Sequence, residues 1–208
     1  MLYIFLLLFS LSAQADWRSI SASDFSLPPP PMVGSPEDIQ DLEGVLRAQA
    51  ERGRRDCDFG KEHFEFNFES LYSGVLRPGE IQKAAPLIDD LFEITGRIHG
   101  EFKSRYRRNR PFVADSRVKP CLNRPGNYSY PSGHALFGMA SSCILERIFP
   151  AKYQLLREHG KMIGDYRVGI GVHYPQDVEA GQRIGQQLCE KLFKDPQFRQ
   201  EIEAIKLK

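Results

Sequence analysis

Tyr130-Pro131-Ser132-Gly133-His134-Ala135-Leu136-Phe137-Gly138-Met139-Ala140 opens an apolar run that continues through Cys143, Ile144 and Ile148. The helix it implies is apolar nearly all round, and a helix with no polar face sits among other helices, not against solvent. Ser132 suits the N-cap, where a side-chain oxygen accepts from a first-turn N–H. Gly133 lets the backbone come close to a ligand. The free amides of the first turn and the positive end of the helix dipole converge on one point, a ready anion site. His134 stands in that first turn, able to give a proton to whatever binds. Taken alone, the stretch fits an ordinary capped helix with an incidental His just as well.

Working outward, the periodicity on both sides is helical. Ser35-Pro36-Glu37-Asp38 is a helix start, and Ile39, Leu42, Val45 and Leu46 give its apolar face, predicting a helix to about Arg52. One or two short helices are expected over 53–78, with a break near Gly74 and Pro78; the alternation Phe64-Glu65-Phe66-Asn67-Phe68 also fits a strand, but no partner strand is nearby. Ile81, Ala84, Ile88, Leu91, Thr95, Ile98 and Phe102 form one buried stripe, interrupted by Pro86. Residues 112–131 are predicted as a loop. Pro150 starts another helix, with Leu155, His159, Met162 and Tyr166 on one face. A last helix carries Gly181, Ile184, Leu188 and Leu192 inward, and Gly181 and Gly185 permit close helix contact. The expected architecture is all-α, a single-domain helical bundle of roughly six to eight helices.

The chain has 208 residues and a net charge of +1, from 28 basic and 27 acidic residues. That balance carries no nucleic-acid signature. Residues 1–15 read as a signal peptide: an apolar run from Leu2 to Leu11, then Ala13-Gln14-Ala15 before Asp16. The run is short for a membrane span, and no other stretch approaches the roughly 18 apolar residues a span requires. Residues 16–35, with Leu27-Pro28-Pro29-Pro30-Pro31, read as an extended segment across the surface, and 36–208 as the folded domain. A periplasmic or secreted protein is therefore expected. Cys57, Cys121, Cys143 and Cys189 allow three disulfide pairings. Cys143 and Cys189 lie in apolar helical patterns and also fit buried thiols. Without a Cys-x-x-Cys, a thiolate metal site is not expected.

Three clusters carry chemistry. The basic run 103–110 holds five cations in eight residues and ends at Pro111. The second cluster is Pro131-Ser132-Gly133-His134. The third is Arg167, His173 and Asp177. Each is ordinary alone; together they supply what phosphoryl transfer requires. Lys103, Arg110 and Arg167 offset the charge of a phosphate monoester. Backbone amides of Ser132 and Gly133 hold phosphoryl oxygens. One His attacks phosphorus while the other protonates the leaving oxygen. Asp177 fixes the tautomer of the attacking ring. Three cations do the electrostatic work of a metal, so neither metal nor cofactor is expected. Arg105, Arg107 and Arg108 read as surface charges or as a lure for anions. His63, His99 and His159 read as structural or surface residues, with His99, one turn before Lys103, near enough to line a pocket rim.

In order, Lys103-x6-Arg110-Pro111, Pro131-Ser132-Gly133-His134 and Arg167-x5-His173-x3-Asp177 resemble the three-part signature of the type 2 phosphatidic acid phosphatase (PAP2) superfamily, which includes the vanadium haloperoxidases. Lys103-x2-Tyr106-x-Arg108-x-Arg110-Pro111-Phe112, the segment Leu27 to Ser35 and the tail Asp195-Pro196-x-Phe198 narrow the resemblance to the class A bacterial non-specific acid phosphatases. The resemblance runs from about residue 24 to the end. It implies an all-α fold and His173 as a nucleophile forming phosphohistidine, oriented by Asp177. It further implies His134 as general acid, and Lys103, Arg110, Ser132, Gly133 and Arg167 as the phosphate-binding set. Substrates would be small phosphate monoesters; a soluble lipid-phosphate or pyrophosphate phosphatase using the same site is the alternative, and a non-catalytic phosphate-binding protein a more distant one. Homo-oligomerisation is left open. One position departs from the pattern: Tyr166 precedes Arg167 where the family has Ser, which would alter a supporting hydrogen bond and the pocket wall.

Overall fold

A computed structural model describes residues 16–63 and 67–207. The predicted leader and the 64–66 part of the phenylalanine alternation lie outside the described residues. The helices are α1 (Pro36–Glu51), α2 (Arg54–Glu62), α3 (Phe68–Tyr72), α4 (Pro78–Tyr106), α5 (Pro111–Ala114), α6 (Gly133–Ile148), α7 (Tyr153–Gly169), α8 (Pro175–Lys194) and α9 (Pro196–Lys206). Among the described residues there is no strand, so the protein is all-α as expected. The count exceeds the expected six to eight because α3 and α5 are single turns and the tail forms its own helix. Asp195 caps α9, accepting from the Phe198 N–H at 2.9 Å, and Pro196 takes its first position.

Helix α6 is the central rod, with Leu136, Phe137, Ala140, Ile144 and Leu145 fully buried. It crosses α7 and α8 with main chain nearly touching main chain. A Cβ on Gly160 would meet the Gly138 carbonyl at 2.5 Å, and one on Gly181 would meet the Ser132 carbonyl at 2.4 Å. The long helix α4 closes a further side, with Ile88, Leu91, Ile98 and Phe102 inside, and it continues past Pro86.

The segment before α1 differs from the surface strap the sequence suggested. It makes two 3-10 turns, at Trp17–Ser19 and Ala22–Asp24, and adds Trp17, Ala22, Phe25 and Leu27 to the main core. The Trp17 ring meets Phe198 edge-on at 5.1 Å, and Arg18 pairs with Asp90 of α4 and Glu201 of α9. The following prolines are held by Tyr130, whose hydroxyl donates to the Pro28 carbonyl at 2.8 Å. Two disulfides form, Cys57–Cys121 and Cys143–Cys189, with Cα separations of 5.7 and 6.4 Å. Cys143 and Cys189 are thus a bridge between α6 and α8, not free buried thiols.

Candidate active site

The spacing of the third motif follows from local backbone geometry. Arg167 stands in the last turn of α7, whose end is closed by a turn through Gly171 at φ +80°. The His173 N–H donates back to the Arg167 carbonyl at 3.1 Å, fixing the loop. Asp177 then lies in the first turn of α8, where its Oδ2 accepts from the Tyr174 N–H at 3.0 Å. That places Oδ2 3.1 Å from His173 Nδ1. A fully buried carboxylate there keeps the proton on Nδ1 and leaves Nε2 as the acceptor. Arg110 Nη1 donates to that Nε2 at 2.9 Å and to the Val172 carbonyl at 2.7 Å.

The first motif is arranged by the end of α4. Lys103 is in its last turn and donates to the carbonyls of Tyr128 and Ser129. Arg107 takes a left-handed conformation, φ 50° and ψ 36°, which ends the helix and redirects the chain. Arg107 is left exposed while Arg108 and Arg110 turn inward. Arg110 is anchored by Asn127, through Nε to its carbonyl at 3.0 Å and through Nη2 to its side chain.

Arg108, which the sequence reads as a surface charge or a lure for anions, is among the most enclosed cations. Its Nη1 lies 2.9 Å from Asp177 Oδ1, and its Nη2 lies 2.8 Å from Asp41 and 3.1 Å from Asp38. Its guanidinium sits 3.7 Å over the Tyr174 ring. Ser129 also donates its hydroxyl to Asp177 Oδ2. Asp177 therefore has four partners, of which the sequence spacing revealed only His173. A run of five cations does not tell which ones a chain reversal will turn inward.

The Ser132 N–H does not face a ligand: it donates to the Asp177 carbonyl at 2.9 Å, tying the start of α6 to the start of α8. The Ser132 side chain is the expected N-cap, accepting from the Ala135 N–H at 3.3 Å. Anion binding by a Ser132 backbone amide is thereby corrected: the bond that locks the two motifs together consumes it. Gly133 admits the ring of His99, which would lie 2.8 Å from a Cβ there. His134 Nε2 is 3.3 Å from the His63 carbonyl.

His99, Lys103, Arg110, Pro125, Asn127, Gly133, His134, Arg167 and His173 line one cavity of about 220 Å³. The three sequence-distant motifs thus meet, with both imidazoles in the same cavity. His99 lines it too, and its buried Nδ1 has no hydrogen-bond partner. The buried Nε of Arg167 likewise has none. His159 is structural, its Nε2 meeting the Leu71 carbonyl at 2.6 Å.

Burial lowers the proton affinity of the cations that line this cavity. Burial, and then the neighbouring Arg110, pull Arg167 down to about 9; burial pulls Arg110 down to about 10. Lys103 is pushed well below its ordinary value by burial and by Arg110. Burial is also the first cause lowering both His173, with Arg110 and Lys103 next, and His134, with Arg167 and His173 next. Beneath the site, burial raises Asp41 to about 6 against the pull of the Gln176 N–H and Arg108. Among the described residues, no three His, Cys, Asp or Glu side chains gather as a metal-binding group.

The chain is similar to known proteins in sequence and in fold. The PAP2 superfamily profile matches residues 92–194. A non-specific acid phosphatase of Providencia stuartii is 29% identical over 192 residues, covering 86% of this chain and 77% of the relative. One from Salmonella typhimurium is 28% identical over 198 residues, covering 88% and 78%. Among solved structures, a bacterial vanadium-dependent iodoperoxidase superposes with a TM-score of 0.63 at 18% identity over 82% of this chain, which spans only 53% of that longer chain. A transmembrane PAP2-type phosphatidylglycerolphosphate phosphatase from Bacillus subtilis gives 0.59 at 18% identity, covering 78% of this chain and 88% of that one. That protein is a transmembrane one, whereas no described helix here is long and apolar enough to cross a membrane. With its three motifs converging on one cavity and its fold and sequence aligned to these relatives, the chain carries a PAP2 superfamily domain over residues 92–194.

Proposed function

We propose that the protein is an exported acid phosphatase that hydrolyses phosphate monoesters through a phosphohistidine on His173, without a metal. The observation that carries this reading is the crowding of Lys103, Arg110 and Arg167 around a small cavity whose facing nucleophile is a neutral imidazole. A phosphoryl dianion relieves that mutual repulsion. As it binds, Arg110 transfers a hydrogen bond from His173 Nε2 to a phosphoryl oxygen, exposing the lone pair. Nε2 then attacks phosphorus, the N–P bond forms, and the P–O ester bond breaks. His134 gives its proton to the departing oxygen. In the second step His134 takes a proton from water, the resulting hydroxide attacks phosphorus, and the N–P bond breaks to release phosphate. Asp177 holds the Nδ1 proton of His173 throughout and stabilises the charge the ring acquires. Export is supported by the leader-like residues 1–15 and by two disulfides, which persist in oxidising compartments.

Two measurements test this. Orthovanadate, which adopts the five-coordinate geometry of the phosphorus in flight, inhibits at concentrations well below the KM for p-nitrophenyl phosphate, and exhaustive chelation leaves the rate intact. Loss of activity in chelator, restored by one added metal, contradicts the mechanism. The pH profile of kcat/KM is the second. His173 has a lowered pKa, so it stays neutral well into the acid range and the acid limb lies below its ordinary value. His134, also lowered, loses its proton as pH rises, so the alkaline limb follows and the optimum is acidic. A level profile from acid to alkaline pH removes the two titrating imidazoles from the mechanism.

A further inference from the structure

Helix α2 belongs to none of the three motifs, yet the carbonyl of its C-cap residue, His63, reaches His134. We propose that the C-terminal end of α2 seats His134 for proton transfer, with the His63 carbonyl holding Nε2 and a stack of Phe59 and Tyr166 holding that carbonyl in place. The inference rests on the reading of His134 as general acid and adds the positioning residues that reading lacks.

The carbonyl accepts, so Nε2 carries its hydrogen, and the proton exchanged with substrate is carried by the ring's other nitrogen. A helix ends in carbonyls without intrahelical partners and in the negative pole of its dipole, and both favour an imidazolium. The groups facing His134 from elsewhere, Arg167 of α7, His173 before α8 and Arg110, oppose protonation, while the His63 carbonyl supports it.

The end of α2 is itself fastened. The His63 N–H and Nδ1 both reach the Phe59 carbonyl, at 3.0 and 2.8 Å. The His63 ring stacks on Phe59 with centroids 3.9 Å apart, and Phe59 stacks on Tyr166 at 4.3 Å. Tyr166 is the position where the family pattern has Ser. Its ring is not among those lining the cavity; it acts on the wall through α2. Gly60 sits so close to Ile170 that a Cβ would come within 3.0 Å of it. Cys57–Cys121 joins α2 to the loop that supplies Asn127, Tyr128 and Ser129 to Arg110 and Lys103.

The test uses leaving-group dependence, because a misplaced acid harms a poor leaving group far more than a good one. In Phe59→Ala, Phe59→Leu, Tyr166→Ser and the double variant Cys57→Ser/Cys121→Ser, kcat/KM is measured on p-nitrophenyl phosphate and on an alkyl phosphate. The ratio of alkyl to aryl activity is expected to fall about tenfold in the Phe59 variants, a fraction of the roughly 10²–10⁴ that a general acid contributes. Phe59→Leu keeps apolar volume without the ring, so a folding defect in Phe59→Ala does not decide the matter. His134→Ala is the reference. If it is selective for the alkyl ester while the α2 variants lose both activities equally, or neither, the proposal is overturned. If His134→Ala is itself unselective, the reading of His134 as the acid fails instead.

Discussion

His173→Ala is expected to lower kcat/KM on p-nitrophenyl phosphate by about 10³-fold or more, the scale seen when a nucleophile acting within a unit is removed. The variant should stay folded. Asp177 keeps the Tyr174 N–H, the Ser129 hydroxyl and Arg108 after the imidazole is gone, so its buried charge remains paired. The cavity keeps Lys103, Arg110 and Arg167, so phosphate still binds, and a nearly unchanged affinity for inorganic phosphate should accompany the lost turnover. Rapid quenching of the unaltered enzyme into alkali, where an N–P bond survives, should trap one phosphoryl group per chain, and none in the variant. Retention of more than a tenth of the activity would move the nucleophile to another side chain.

The second large effect is on stability. Arg108→Ala strands Asp41 and Asp177, both essentially inaccessible, and half-buried Asp38. Removing one partner of a buried ion pair costs about 3–5 kcal/mol, which for a chain this size lowers Tm by on the order of 10 °C. Arg108→Lys should recover little, since one ammonium does not span carboxylates engaged separately through Nη1 and Nη2. The cost should also depend on pH with a definite sign. A carboxylate whose folded-state pKa exceeds its unfolded value contributes stability at low pH that is lost as pH rises through the folded value. Asp41 already lies at about 6 from burial, opposed by Arg108. Without that cation it rises further, so the loss in Arg108→Ala should be smaller at acid pH than at neutrality. Urea denaturation at both pH values measures it, and a pH-independent loss under 1 kcal/mol would mean that water reaches the carboxylates in place of the guanidinium.

The parts of this site that were legible from the sequence share one property: their roles are set by near neighbours in the chain. Arg167, His173 and Asp177 fall on one helix end, one glycine turn and one helix start, so their spacing encodes their geometry. The apolar circumference of 132–148 likewise announced the central helix. What escaped depended on a reversal or a distant pairing. Arg108 turns inward because Arg107 breaks the helix in a left-handed conformation, which no periodicity reports. Ser129 reaches Asp177 across 48 residues. The disulfide partners are 64 and 46 residues apart, and α6 and α8 had to be seen crossing before Cys143 could be matched to Cys189. Tyr166 stands out as a departure from the motif, but its contact with α2 depends on the ring of Phe59, distant in the chain.

The crossing of α6 and α8 leaves no room for a methyl group at Gly181, and the Ser132 amide bridges to Asp177 beside it. The gap between His134 and His173 is therefore gauged by buried main chain. Selection for new substrates in such a scaffold has little freedom to widen that gap and must instead rework what hangs around it, the α2 rim and the 115–131 loop.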